Sequence, residues 1–411
     1  MAEWPPHYGD RIAVDQQEGG GSRAVIYPGN GVAVSVLVVA ALFVLTQLYA
    51  AIPLLGPVGI SMGADATFAL STCFSVTYAV GFLIWGPVSD RYGRKKVMTA
   101  SIGVLAVATL LCSGASSLPI LAGLRALQGA AASGFAPVAL AYLTEAVAPQ
   151  WRARAIDAMS AAFLVAGIFG QVLASTIALR ASWSWFFVAC GVVLAMIFTI
   201  ILFSVVEVPN HTPSMTLLQQ FGNLAVLLFR PAIVLLGIAH ITLLLSFVAL
   251  YTGIGHHLED LHVAASNIIL IRLAALPAMF ISLGVGALAE RIGAIRVAQV
   301  GFGLAAVGML GEAFTDQMIF GVVASSVVYV SGAALSIPSM IMLYGETAVP
   351  HRGSGMAING FVLFVGASIG ALVGKAIGGF GTLTLTLVAL LGLAAISLLT
   401  LGAIQRKDSS S

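Results

Sequence analysis

Only 8% of the 411 residues are charged, so few side chains can carry chemistry and their positions are informative. Arg125 and Arg272 lie within long apolar runs. A guanidinium there costs about 2.5–3.5 kcal/mol on insertion scales, so each must face a cavity or a partner, or snorkel to an interface. His240, well inside another run, is the titratable group best placed near mid-run. An imidazole with a reference pKa of about 6.5 can carry a proton, or it can sit neutral on a carbonyl or hydroxyl. Asp65, Asp157, Glu312 and Asp316 all fall near the ends of runs, so no acid is expected at mid-run. Two inward arginines without an acid also suit an anionic ligand.

Gln47, Tyr78, Gln128, Gln171 and Asn359, with Tyr49, Asn267 and Tyr344, are polar or amphipathic groups in otherwise apolar stretches. Burial against lipid would strand their hydrogen-bonding atoms, so several are candidates to line a cavity. Interhelical bonding is the competing role.

Other chemistries find little support. His256, His257, Glu259, Asp260 and His262 cluster between two apolar runs and read as a solvated loop, with no metal site expected. Cys73, Cys112 and Cys190 fall inside apolar stretches and read as small core residues. No Walker sequence, paired carboxylates or clustered nucleophile occurs within the runs, so neither an enzyme nor a cofactor is expected. The formal net charge of +2 argues against nucleic-acid binding.

The elements that must position these residues are membrane-spanning helices. With 59% hydrophobic residues, the solvent for most of the surface is lipid. Runs of about 20 apolar residues, enough to cross the hydrocarbon, occur at roughly 32–55, 67–88, 97–115, 118–145, 156–178 and 183–206. Six more follow at roughly 231–254, 263–288, 297–313, 317–345, 354–378 and 381–403. Segments such as 32–44 are apolar on every face, which excludes alternating barrel strands. The expected organisation is a disordered cytoplasmic tail at 1–30, a six-helix bundle at 31–206 and a polar cytoplasmic loop at 207–230. A second six-helix bundle at 231–403 and a cytoplasmic tail at 404–411 complete it. Glycines 366, 370, 374, 378 and 379 form a small-residue packing face on the eleventh span.

Cations set the orientation. Arg11, Arg23, Arg91, Arg94, Lys95, Lys96, Arg152, Arg154, Arg230, Arg291, Arg296, Arg352, Arg406 and Lys407 fall on one side, against Arg180 and Lys375 on the other. The positive-inside rule then places both termini in the cytoplasm of a cell inner membrane. The halves also repeat: Gly86, Asp90, Arg91 and Gly93 recur as Gly286, Glu290, Arg291 and Gly293, and Pro137, Glu145 and Pro149 as Pro338, Glu346 and Pro350.

The segment Gly86-Pro87-Val88-Ser89-Asp90-Arg91-Tyr92-Gly93-Arg94-Lys95-Lys96 resembles the signature loop between helices 2 and 3 of the major facilitator superfamily. That resemblance implies an all-α fold of twelve transmembrane helices in two pseudo-symmetric six-helix bundles. It further implies a conformational latch formed by Gly86, Asp90, Arg91, Gly93 and Arg94, with Asp90 contacting the eleventh helix and nearby basic residues. Glu145 resembles the acidic partner that joins this network. Arg125-Ala126-Leu127-Gln128-Gly129 looks like the R-x-x-Q-G motif of the drug:proton antiporter branch, which implies a part for Arg125 in proton transfer. The fifth-helix stretch Ala166-Gly167-Ile168-Phe169-Gly170-Gln171 keeps some of that branch's glycines and lacks its proline.

The expected function is secondary active transport: proton-coupled efflux of small organic compounds or drugs by rocker-switch alternating access. A proton-coupled carrier of a sugar or an organic anion is the alternative. Arg125 and His240 are the proton-coupling candidates, and Gln47, Tyr78, Gln128, Gln171, Arg272 and Asn359 the cavity candidates. The expected partners are a small-molecule substrate, protons and the lipid bilayer, and each protomer holds its own cavity and can work as a monomer.

Overall fold

The computed structural model describes residues 12–14, 24–26, 31–207, 217–349 and 352–410. Twelve helices among them are long and apolar enough to cross a membrane. They are α1 (Gly31–Tyr49), α2 (Phe68–Tyr92), α3 (Arg94–Cys112), α4 (Leu118–Ala146), α5 (Gln150–Arg180) and α6 (Trp183–Ser204). The second six are α7 (Pro231–Asp260), α8 (Ala265–Ile292), α9 (Ala294–Thr315), α10 (Ile319–Thr347), α11 (Gly353–Ala376) and α12 (Phe380–Ile404). An even number of crossings puts both ends of this bundle on one side, here called the termini side; the other is the far side.

Prolines open several spans where a missing N–H costs nothing, at Pro119 for α4 and Pro231 for α7. Others mark interruptions. A turn at Ser133–Phe135 divides α4 ahead of Pro137, and α8 tightens into a 3₁₀ segment over Phe280–Gly284 after Pro277. The repeat partner of Pro137, Pro338, sits inside an unbroken α10.

Packing follows the sequence repeat. In the first half α1 lies against α5 and α6, and α3 against α4 and α6. In the second half α7 lies against α11 and α12, and α9 against α10 and α12. The halves meet where α2 packs on α11 and α5 on α8. Gly366, Gly370 and Gly374 set α11 directly on the α7 backbone, and a Cβ on Gly374 would stand 2.7 Å from the Ala249 carbonyl oxygen. Gly378 faces open space and Gly379 takes a turn with φ +87, so the expected small-residue face ends at Gly374.

Four expectations need correction. The tail at 1–30 contains a short antiparallel ribbon, Ile12–Val14 with Ala24–Ile26, which its β-branched residues favour. The first run does not stop near 55: after a break at Ala50 the chain continues as a second helix, Ala51–Met62, on the far side. The segment 207–230 is more than a polar loop, because Leu217–Leu228 forms a helix against α2, α7 and α11. Its Leu217, Phe221, Leu224 and Leu228 recur at helical spacing, a pattern outweighed on paper by Pro209, Asn210, His211 and Pro213, of which none lies within the described residues. Lastly, His256, His257, Glu259 and Asp260 belong to the final turn of α7, leaving His262, at φ 59, to make the turn.

Candidate functional site

The sequence-predicted residues resolve into separate places. On the termini side, Gly93 joins α2 to α3 at φ +103, a backbone that L side chains rarely adopt. The turn brings Arg94 back onto Asp90 at 2.5 Å and across to Glu145 on α4 at 2.9 Å, with Ser89 Oγ accepting a further guanidinium bond. One guanidinium therefore holds two carboxylates from two helices. Asp90 makes its ion pair with Arg94, one of the nearby basic residues. Arg91 is exposed and turned to the neighbouring Tyr92 ring, and Gly86 faces open space.

A partner missed in the sequence completes this cluster. The Glu207 carboxylate, just beyond α6, accepts the backbone N–H groups of Lys95 at 3.0 Å and Lys96 at 3.2 Å. These are orphan donors at the first turn of α3, where an anion also meets the positive end of the helix dipole. A Cβ on Gly93 would lie 2.9 Å from that carboxylate, so a side chain there would push the cap aside.

Deeper in the first half, Arg125, Gln128 and Gln47 come together. Arg125 is buried and donates from Nε to the Leu70 carbonyl (2.7 Å), from Nη1 to Gln128 Oε1 (2.9 Å) and from Nη2 to the Gln47 carbonyl (2.9 Å). Its guanidinium also lies 4.3 Å over the Phe74 ring. Gln128 in turn donates to Thr109 on α3 at 2.7 Å. Arg125 does not snorkel: it clips α1, α2 and α4 together through neutral acceptors, and Gln128 adds α3. The Gln128 partner belongs to the R-x-x-Q-G stretch, whereas the other two are backbone carbonyls, which no sequence motif names.

Between the halves runs an aromatic seam. The Tyr78 ring on α2 meets Phe364 on α11 edge-on at 4.3 Å, with Phe82 5.3 Å from the same ring. Tyr49, the last residue of α1, meets Phe247 on α7 at 5.6 Å. Gln171 is buried with its amide spent on the carbonyl of Gly167 in its own helix (2.7 Å), and Asn359 is buried with Oδ1 unpaired. Neither joins the Arg125 group. His240 is buried on α7 beside the Tyr344 ring at 5.6 Å, with both ring nitrogens unpaired.

The far side is tied across the halves. Lys375, at the end of α11, pairs with Asp65 at 2.5 Å. Partial burial opposes ionisation of Asp65, but hydrogen bonds from Lys375 and Thr67 hold its carboxyl below the ordinary range. Arg272 on α8 is buried and donates to Ser175 Oγ on α5 at 3.1 Å, leaving Nε unpaired. A pocket of ≈ 370 Å³ on this side is lined by residues that include Leu55, Ile60, Thr67 and His256 beside the Asp65–Lys375 pair. Among the described residues, no group of three or more His, Cys, Asp or Glu side chains is arranged to hold a metal ion.

The sequence profile of the Major Facilitator Superfamily matches residues 36–371. An uncharacterized transporter of Buchnera aphidicola subsp. Schizaphis graminum is 26% identical over 310 residues, covering 74% of each chain. The inner membrane transport protein YnfM of Escherichia coli is 26% identical over 242 residues, 56% of each chain. The multidrug export protein EmrB of Haemophilus influenzae is 32% identical over 116 residues, 28% of this chain and 23% of its own. In three dimensions the fold is similar to that of the human organic anion transporter MFSD10, with a TM-score of 0.68 at 16% identity over 89% of this chain and 99% of that one. The matched profile, the twelve spans and the two packed, repeated halves agree: this multi-pass membrane protein belongs to the major facilitator superfamily.

Proposed function

We propose that the chain is a proton-coupled exporter of small, lipophilic organic compounds, working by alternate opening of a site between its halves. The observation that carries this reading is the aromatic seam. Tyr49 with Phe247 and Tyr78 with Phe364 meet across the two bundles, and rings of this kind bury apolar compounds while offering polar edges. The export function named for the Haemophilus relative supports the direction. Halves built from parallel repeats rock about such a midplane site.

In this reading the termini lie in the cytoplasm of the inner membrane, on the side rich in Arg and Lys. Asp90, Arg94 and Glu145 act as a latch whose contacts bias one of two nearly equal states. Asp65–Lys375 and Arg272–Ser175 hold the far side shut in the state described above. His240, with no fixed partner, is a group free to exchange a proton, and Arg125 keeps the first half in shape.

A second reading, export or uptake of an organic anion, is favoured by the unpaired Nε of the buried Arg272. One experiment separates them. Purified protein is reconstituted in liposomes with an imposed pH gradient and a pH-sensitive dye inside. Proton movement triggered by lipophilic drugs and not by organic acids or sugars is the expected result. Movement triggered only by organic acids would replace the first reading with the second.

A further inference from the structure

Glu312, expected near the end of an apolar run, belongs to none of the groups described above. It lies in the last turn of α9, yet it is fully buried, and no Lys, Arg or His pairs with it among the described ion pairs. One carboxyl oxygen accepts from Ser326 Oγ on α10 at 3.0 Å, and the other is unpaired. Burying a carboxyl with so little compensation is costly, and such groups in membrane helices are kept for function.

The surroundings extend this observation along one seam. Ser326 faces the hydroxyl of the buried Tyr251 of α7. Closer to the middle, Ser246 Oγ of α7 and Tyr329 OH of α10 share a hydrogen bond of 2.8 Å. Further toward the termini side on the same two helices come His240 and Tyr344, again with unpaired ring nitrogens and hydroxyl. Polar side chains thus recur along the α7–α10 contact from one depth to the other. Other elements packed here add little charge. Arg272 of α8 lies beyond Tyr251, the Asp316 carbonyl is bonded to His257, Lys375 of α11 is paired with Asp65, and α12 carries no titratable side chain.

We propose that the α7–α10 seam is a proton path through the second half, with Glu312 the proton-binding group at its far-side end and His240 at its termini-side end. Hydroxyls of Tyr251, Tyr329, Ser246, Ser326 and Tyr344 relay between them, since each both donates and accepts, and the wider gaps need intervening water. The relay groups all belong to the second half, and the path runs beside the seam between halves, where Phe247 packs on Tyr251 at 4.7 Å and on Tyr329 at 6.5 Å. This inference rests on the proton-coupled reading above, and its test keeps the two apart.

The test compares wild type, Glu312→Gln and Tyr329→Phe in liposomes. It reads compound-driven proton movement and, separately, exchange of labelled compound with no pH gradient. Tyr329→Phe removes the central hydroxyl while sparing both titratable groups and the ring packing. Both variants are expected to lose proton movement to the level of protein-free liposomes while retaining exchange. Wild-type proton movement in either folded variant overturns the path. If wild type exchanges compound without moving protons, the coupled reading fails. Glu312 is therefore also assayed alone: a hydrophobic carbodiimide, which reacts with protonated buried carboxyls, is followed by mass spectrometry of the Glu312 peptide. Labelling that declines as the buffer is made alkaline is expected in wild type, and this needs no variant to fold. Labelling absent or independent of pH overturns Glu312 as a proton-binding group.

Discussion

The loop between α2 and α3 and its repeat between α8 and α9 share a backbone and differ in charge. Gly93 opens α3 at φ 103 and ψ 141, and Gly293 opens α9 at φ 89 and ψ 140. In the first loop Arg94 binds Asp90 and Glu145, and Glu207 caps α3. In the second, Ala294 stands where the arginine would be, Glu290, Arg291 and Glu346 are exposed, and no ion pair joins them among the described residues. Glu207 has Lys407 as its counterpart, and an ammonium has no acceptor for a helix N-terminus. The antiparallel turn between neighbouring helices requires the glycine in both halves. The charged cluster is an addition confined to the first, so the termini side is asymmetric in charge.

The largest expected effect separates the two glycines. Gly293→Ala forces only an unfavourable backbone, about 1–3 kcal/mol, because open space surrounds its Cβ position. Gly93→Ala adds displacement of the Glu207 cap, a further ~1 kcal/mol. Thermal unfolding in detergent should rank Gly93→Ala below Gly293→Ala, and equal losses would remove the cap from the account. Next comes Arg94→Ala, which leaves two carboxylates facing each other. Transport should slow about tenfold, equivalent to ~1.4 kcal/mol, with insertion and folding retained, whereas Ala294→Arg should not speed it.

Glu207→Gln should cost about 1–2 kcal/mol, since the amide oxygen can accept from only one of the two N–H groups, the amide NH2 faces the other, and the interaction of the charge with the helix dipole is lost. High salt should narrow that difference. Glu290→Gln should stay within about 0.5 kcal/mol, as for most surface changes; a larger loss would mean that the second loop is wired after all.

The far-side pair gives the smallest effect and a pH sign. Asp65 and Lys375 are both about half exposed, so their ion pair is worth about 0.2–1 kcal/mol. With the Asp65 carboxyl held below its ordinary value of 3.8, the pair contributes fully above that value and is lost only as pH falls through the lowered one. Cross-linking across the far side should therefore not vary between mildly acidic and neutral buffer. Asp65→Asn should weaken it equally in both buffers.

Much of this was readable from sequence. Twelve apolar runs and a two-half repeat specify the bundle, because lipid leaves helices no alternative partner for their backbone. The Asp90–Arg94 contact was readable too, since four residues separate its members across a glycine turn. Glu207 was not, because α6 must first return its end to the start of α3. Lys375 and Asp65 come from opposite halves, and only closure of the far side brings them together. Arg125 was recognised, but its acceptors are mostly backbone carbonyls. Glu312 was set aside for lying near a helix end, yet α10 and α7 extend past that point and bury it. Position along a helix gives depth, and only packing gives the facing.

The central claim is that the halves move against one another about the seam. Pairs of spin labels at Ile60 and Phe320 on the far side, and at Tyr92 and Ile292 on the termini side, would be measured in liposomes with and without a transported compound; all four side chains are exposed. The account predicts opposite changes: the far-side distance lengthens as the termini-side distance shortens, and Arg94→Ala shifts the balance between them. Distances that stay fixed, or that change together, would contradict alternating access in this protein.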